Sequence, residues 1–168
     1  MSLFAPILQA LSGSGTRYVL VGGFATVLHG HARMTADIDV IVDLQPAAAE
    51  RLMAALGEVG LRPRAPVAAA QFAVEANRRA WAEEKGMRVF SMWDPRNPML
   101  EVDIFIEHPI DFELLVARSV VVELGPHRVS VACIEDLIAL KRLADRPQDR
   151  EDIRALEAIA RHRKGGAT

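Results

Sequence analysis

Two aspartates interrupt an otherwise apolar run, and they constrain the fold of this chain more than any other feature. Asp37 and Asp39 stand in the segment ADIDVIV (36–42), whose β-branched residues predict a strand. Because side chains alternate between the two faces of a strand, both carboxylates lie on the same face. Ionised carboxylates one pleat apart repel each other unless one is protonated or a cation lies between them. The pattern therefore indicates either a solvated strand face or a cation site.

The composition is that of an ordinary globular domain. The 168 residues are 51% hydrophobic and 25% charged, which suits one domain with a proper core. The net charge of −2 excludes a general attraction for nucleic acid, so such binding would need a local patch. The single cysteine, Cys133, cannot form an intramolecular disulfide. Without a signal-peptide pattern or an apolar run of about 18 residues, we expect a cytoplasmic protein without membrane association.

Hydrophobic periodicity predicts an α+β fold. Strand patterns cover 17–22, 37–43, 87–93, 99–107, 119–124 and 128–132, and helical patterns cover 4–11, 24–30, 46–57, 111–118, 133–144 and 145–163. The stretch 66–84 could be helical or partly loop. Asp145, before Pro147, is the expected N-cap of the last helix. We expect a core over 1–131 and a C-terminal helical pair over 132–164 that packs on it as part of a single domain.

Two further features favour the cation site over the solvated face. The pair Gly22-Gly23 follows a strand directly and precedes a helix, where glycine lets the backbone approach a ligand and a helix N-terminus favours phosphate. Asp103 is a lone acid in another apolar strand, and it would add a third carboxylate if that strand lay beside 37–43. Oxygen ligands of this kind suit Mg²⁺.

Basic residues near the C-terminus form a second group of candidates. Lys141 is one of only three lysines and falls on the apolar stripe of its helix, so we expect it to point inward. A buried ammonium needs an anion, such as a triphosphate or an aspartate. The alternative is that the stem packs and the charged head reaches solvent. For Arg146 and Asp149 a structural ion pair at a helix start is favoured over direct catalysis.

The loop before the acidic strand holds the remaining candidates. Arg33 and Thr35 could reach phosphate or serve only as loop residues. His29 and His31, two residues apart around a glycine, are poorly spaced for a shared metal and are interpreted as loop residues near the site. The basic tail 161–164 is interpreted as a solvated helix end, with RNA contact as the alternative.

Taken together, these motifs resemble a known superfamily. A hydrophobic residue, Gly-Gly, thirteen residues and then DIDV resemble the signature of the DNA polymerase beta-like nucleotidyltransferases. The segments G-G-x-A (22–25), R-x-T-x-D-I-D (33–39) and K-x4-R-x2-D (141–149) resemble small bacterial members that act as toxins of abortive-infection toxin–antitoxin pairs. The resemblance covers roughly 17–160, although 61–98 contributes no motif.

The resemblance implies a polymerase beta-like mixed sheet flanked by helices and a metal-dependent nucleotidyltransferase activity. Such an enzyme transfers NMP from ATP or another NTP to a hydroxyl of RNA or tRNA, protein or a small molecule, with Mg²⁺ or Mn²⁺ as cofactor and an antitoxin as partner. The implied catalytic and metal-binding residues are Asp37, Asp39 and Asp103, and the nucleotide-binding residues are Gly22, Gly23, Arg33, Thr35 and Lys141. Two alternatives remain open, a non-catalytic nucleotide- or partner-binding module of the same fold and a metal-dependent phosphohydrolase.

Overall fold

The β-branched and apolar segments form one mixed sheet in the computed structural model, which describes residues 3–165. Its strands are β1 (Tyr18–Val21), β2 (Ile38–Val42), β3 (Arg62–Pro63), β4 (Val89–Asp94), β5 (Asn97–Phe105), β6 (Val120–Leu124) and β7 (His127–Val131). Their order across the sheet is β3-β4-β5-β2-β1-β7-β6. The α+β fold expected from the sequence is confirmed, and the Gly125 turn joins β6 and β7 as an antiparallel hairpin.

The strand register places the two acidic strands side by side. β2 pairs with β1 in antiparallel orientation and with β5 in parallel orientation, so that Asp39 lies opposite Val21 on one side and Asp103 on the other. On the far side of β5, the antiparallel strand β4 places Ser91 opposite Asp103. The expectation that the strand of Asp103 lies beside 37–43 is therefore confirmed.

Helices surround this sheet, and several begin or end at residues with clear local reasons. They are α1 (Ala5–Gly13), α2 (Gly22–Leu28), α3 (Pro46–Glu58), α4 (Glu75–Lys85), α5 (Phe112–Arg118), α6 (Ile134–Ala144) and α7 (Pro147–Gly165), with a 3₁₀ turn at Ala69–Ala73. Proline stands in the first turn of α1 and α3, where its missing N–H costs no helical bond. Asp111 caps α5 by accepting a hydrogen bond from Leu114 N at 2.8 Å.

The prediction that Asp145 is the N-cap of the last helix is wrong. Asp145 ends α6 in a left-handed conformation with φ 45°, and its carboxylate accepts from Arg150 Nε at 3.0 Å. The hydrogen bond at the start of α7 is supplied instead by Asp149, whose Oδ2 accepts from the backbone N–H of Arg146 at 3.1 Å. A carboxylate in the first turn that reaches back in this way forms half of a capping box.

The core lies between the strands and the helices that cover them. Its largest fully buried side chains are Phe72, Phe90, Ile7, Leu8, Leu11, Leu20, Ile38, Ile41, Leu52, Leu56, Met92 and Ile104. The two C-terminal helices pack on each other, and α6 also packs on α2, which brings the end of the chain to the acidic strands. None of the helices within residues 3–165 is long and apolar enough to cross a membrane.

Candidate active site

The three predicted acids line one cleft at the amino end of β2. Asp39 and Asp103 lie directly opposite each other on neighbouring parallel strands, and Asp37 immediately precedes β2. The cleft has a volume of about 380 Å³, and it is also lined by Gly23, Arg33, Thr35 and Lys141. Gly22 lines a smaller cleft of about 60 Å³, which shares Asp39 and Lys141 with the first one. A larger cavity of about 530 Å³, at the opposite end of β2, contains none of the predicted site residues.

Burial and neighbouring charges change the acidity of Asp39 and Asp103. Burial raises the pKa of Asp39 to about 7, and the charges of Asp37 and Asp103 add to this effect. The backbone N–H of Gly23 donates to the Asp39 carboxylate and opposes the rise. Burial also raises the pKa of Asp103, whereas the Ser91 hydroxyl lowers it by donating to Oδ1 at 2.5 Å. The cleft therefore holds repelling negative charge that a divalent cation would relieve.

These acids are chemically suited to a hard cation, although they do not surround one point. The donor set consists of carboxylate oxygens, which are the ligands that Mg²⁺ and Mn²⁺ prefer. Within residues 3–165, no three His, Cys, Asp or Glu side chains are arranged together as ligands of a single ion. Asp37 and Asp103 therefore lie close enough to Asp39 to raise its pKa without forming an assembled ligand set with it.

The glycine pair is required by close contacts within the site. Gly22 begins α2 with φ 66°, and a Cβ added there would lie 1.9 Å from Asp39 Oδ2. A Cβ on Gly23 would lie 2.8 Å from Arg33 Nη2 and 2.9 Å from Thr35 Oγ1. The helix thus starts at the glycine pair itself, two residues earlier than the sequence suggested. Glycine lets an acid and a cationic side chain approach the backbone on either side of the turn.

Lys141 points inward as expected, and its partner is an acid that the sequence did not single out. The Lys141 side chain is 4% exposed, and its Nζ donates to Asp152 Oδ2 at 2.7 Å and lies 3.7 Å from Asp149 Oδ1. Arg33 Nη1 donates to the same oxygen of Asp152, and His31 Nε2 is 3.5 Å from the other oxygen. The alternative in which the Lys141 ammonium reaches solvent is therefore wrong. Asp149 and Asp152 are three residues apart and therefore share one helix face. That spacing was the sequence signal from which Asp152 could have been predicted as a partner of Lys141.

Arg146 and Asp149 form the expected ion pair at the start of α7. Arg146 Nε donates to Asp149 Oδ2 at 2.8 Å, and both residues also line the acidic cleft. Thr35 is held toward the acids, because its hydroxyl donates to the backbone oxygen of Asp37 at 3.2 Å. The structure therefore brings the late basic element and the loop before β2 to the same cleft.

The two histidines of the loop have different surroundings. His29 is buried outside the cleft, where its Nε2 forms a hydrogen bond with Ala132 O at 2.8 Å. Arg163, in the basic tail, donates to His29 O at 3.1 Å. His31 lies beside Asp152, behind the cleft. The tail therefore has at least one structural contact and is not a wholly solvated helix end.

Comparison with known protein families identifies one family for this chain. A family model described as nucleotidyl transferase AbiEii toxin, type IV toxin–antitoxin system, matches residues 6–162. That range includes every candidate site residue discussed above. No curated protein matches the sequence of the chain.

Solved structures with low sequence identity share the fold. The lincosamide antibiotic adenylyltransferase LnuA, bound to lincomycin, is 16% identical with a TM-score of 0.60, and the match covers 91% of this chain and 93% of that one. A putative nucleotidyltransferase from Thermotoga maritima is 15% identical with a TM-score of 0.54, covering 89% and 86%. The antibiotic-resistance factor ANT(2'')-Ia is 15% identical with a TM-score of 0.52, covering 96% and 90%.

Proposed function

We propose that this chain, which belongs to the AbiEii nucleotidyltransferase toxin family and is thus a nucleotidyltransferase, transfers NMP from an NTP to an acceptor hydroxyl. The acceptor oxygen forms a bond to the α-phosphorus, the bond from that phosphorus to the bridging oxygen breaks, and pyrophosphate leaves. The hydroxyl proton passes to a base in the cleft. The observation that carries this proposal is the pairing of Asp39 with Asp103, with Asp37 in the same cleft.

Asp37, Asp39 and Asp103 are the residues that would hold Mg²⁺ or Mn²⁺. A bound divalent ion would neutralise charge on the triphosphate and make the acceptor hydroxyl more acidic. The pKa of Asp39 is raised by burial and further by the charges of Asp37 and Asp103. The second contribution supports this assignment, because a cation removes the repulsion between the carboxylates. Asp103 is also our candidate for the base, since burial raises its pKa and thereby makes it a better proton acceptor.

The other side of the cleft suits a triphosphate. The glycine pair begins α2 there, and Arg33 lies against Gly23. Lys141 and Arg33 share one carboxylate, that of Asp152, so this pair keeps a net positive charge for phosphate oxygens. Thr35 adds a hydroxyl at the same edge. We assign these residues and Gly22 to the nucleotide.

The acceptor class is the open part of this function. One neighbour in fold is named an adenylyltransferase of a lincosamide antibiotic, which makes a small hydroxylated molecule one candidate. The family name describes a toxin of a type IV toxin–antitoxin system, which makes cellular RNA or protein the other candidates and implies an antitoxin partner. We propose that the protein acts in the cytoplasm, where NTPs are available.

Label transfer tests the proposal directly. The protein is incubated with each α-labelled NTP, Mg²⁺, total cellular RNA and lysate protein, beside the Asp37→Ala/Asp39→Ala variant. Asp43→Asn serves as the matched control, because Asp43 follows the same strand but lies in the other cavity. We expect label in an acceptor fraction with the wild type and the control only. NTP binding without transfer would support the non-catalytic module, an alternative that the unassembled acids also favour, and release of inorganic phosphate alone would indicate a phosphohydrolase.

A further inference from the structure

The register of the sheet gives the proposed reaction a direction. A row of paired residues crosses the strands from Val21 through Asp39 and Asp103 to Ser91, and the next segment continues it, since Arg64 N donates to Ser91 O at 3.0 Å. The glycine pair lies at the β1 end of this row. In phosphoryl transfer the attacking and leaving oxygens are roughly in line on opposite sides of the phosphorus. If pyrophosphate leaves toward the glycine pair, the acceptor enters from the side of β4 and β3.

A flat polar surface lies on that side. Arg64 Nε and Nη2 donate to the two oxygens of Glu101 at 2.8 and 2.5 Å, which fixes the guanidinium plane. The same guanidinium lies 4.5 Å from the ring centroid of Trp93, in a cation–π contact. Trp93 is paired with Glu101 across the strands. We name Arg64, Trp93 and Glu101 the Arg64 platform.

The Arg64 platform is accessible and close to the reacting centre. The Arg64 side chain is 45% exposed although it is held by two partners, so part of its surface remains open. Glu101 precedes Asp103 by two residues and shares its strand face, at about 7 Å along β5. A ring stacked on the platform can therefore present a neighbouring hydroxyl to Asp103.

Two arginines, Arg62 and Arg96, give the sheet edge beyond the platform a positive charge. Arg62 is exposed and lies opposite Trp93 in the β3–β4 pairing, which places both side chains on one face of the sheet. Arg62 and Arg96 line a depression of about 270 Å³ next to Gly60. Arg96 is paired with Asp94 at 3.1 Å, whereas the described contacts of Arg62 include no ion pair. This edge is suited to an anionic group carried by the acceptor.

We propose that the Arg64 platform binds the acceptor, and that the acceptor is a nucleotide with its base stacked on the guanidinium of Arg64, which lies over Trp93, and its phosphate toward Arg62. Bases stack on guanidinium planes as well as on aromatic rings, and a fixed plane needs little ordering when a base arrives. This inference rests on the proposed transfer reaction, because that reaction defines which side of the phosphorus the acceptor occupies.

Tryptophan fluorescence tests the inference without requiring transfer. Trp81 is buried and stacked on Phe90, so Trp81→Phe leaves Trp93 as the single reporter. The probes are AMP and a 5′-phosphorylated oligoadenylate, without NTP, to distinguish a free nucleotide from a chain end. We expect at least one probe to quench the fluorescence of Trp93 in a saturable way. Arg64→Ala should weaken its binding about tenfold, as expected for loss of one stacked base, and Arg79→Ala, another exposed ion-paired arginine, should not.

The remaining variants separate the possible outcomes. Arg64→Lys keeps the charge but loses the plane, so binding as tight as in the wild type would refute stacking, as would the absence of quenching by either probe. Asp37→Ala should bind the probe normally and transfer nothing. If the wild type transfers label and Arg64→Ala has an unchanged acceptor KM, the platform assignment is wrong and the transferase function stands. If the probe binds but the wild type transfers nothing to any acceptor, the proposed function fails and the platform remains a nucleotide site.

Discussion

Replacing Gly22 by alanine tests the most tightly constrained contact of the site. Gly22 has φ 66°, and an added Cβ would lie 1.9 Å from Oδ2 of Asp39 and 2.8 Å from its Cβ. Because the Cβ of Asp39 is itself too close, rotation of the carboxylate cannot relieve the whole clash. Either α2 or β2 must therefore shift, and the carboxylate is displaced from its position between Gly22 and Asp103.

The size of the effect follows from two contributions. A left-handed conformation costs a non-glycine residue about 1–2 kcal/mol, and overpacking a filled site costs about 1–3 kcal/mol more. We therefore expect Gly22→Ala to lower the free energy of unfolding by about 2–5 kcal/mol. Gly125 is the matched control, because it has φ 60° and nothing within 4 Å of an added Cβ. Gly125→Ala should lower the free energy of unfolding by the backbone contribution alone, about 1–2 kcal/mol.

Urea unfolding and NMP transfer measure the two consequences separately. Gly22→Ala should be less stable than Gly125→Ala and should lose at least a hundredfold in transfer rate, the order of magnitude expected when a key electrostatic group is displaced. Gly125→Ala should transfer at the wild-type rate. If both variants were equally stable and equally active, the contact between Gly22 and Asp39 would not constrain the site as described.

Three further substitutions test the charges of the cleft. Because the pKa of Asp39 is raised to about 7 from 3.8, the metal-free fold holds a proton that the unfolded chain has lost, so stability falls as pH rises between these values. Asp39→Asn should flatten that fall in thermal unfolding with EDTA, and an unchanged slope would contradict the assignment. Lys141→Met leaves Asp152 buried with one cation fewer, and the unfolding free energy in urea should drop by about 3–5 kcal/mol; a loss below about 1 kcal/mol would show that the pair is not effectively buried. Ser91→Ala removes the hydrogen bond to Asp103, and the Mg²⁺ concentration for half-maximal transfer should rise several-fold. An unchanged Mg²⁺ concentration would show that this hydrogen bond does not position Asp103 for the metal.

The acidic side of the site could be predicted because its signals are local. Alternation along 37–43 places two acids on one face, and an isolated acid within another apolar strand is visible without knowledge of the fold. The pairing of Asp39 with Asp103 then required only that the two strands be neighbours. The glycine pair was also visible, although the close partners it accommodates, Asp39 and Arg33, were not.

The remaining parts depend on long-range contacts that no local pattern reveals. Arg33 and Asp152 are 119 positions apart, and the angle between α6 and α7 depends on Asp145 in a left-handed conformation, which is uncommon for a residue other than glycine. The stretch 61–98 showed no motif because β3 is two residues long and includes Pro63, which disfavours a strand assignment. Yet its Arg64 forms the platform beside the cleft.

The charge balance predicts that a cation is needed before a triphosphate can bind. The cleft and the residues directly behind it contain five carboxylates and three cationic groups: Asp37, Asp39, Asp103, Asp149 and Asp152 against Arg33, Lys141 and Arg146. This formal excess of negative charge repels a bare NTP, even though the cationic groups are gathered on one side. A divalent ion at the three acids would cancel the excess and leave the cationic side free to attract phosphate. We therefore expect the cationic groups held by α7 to orient the nucleotide, and the acids alone to account for the proposed metal dependence.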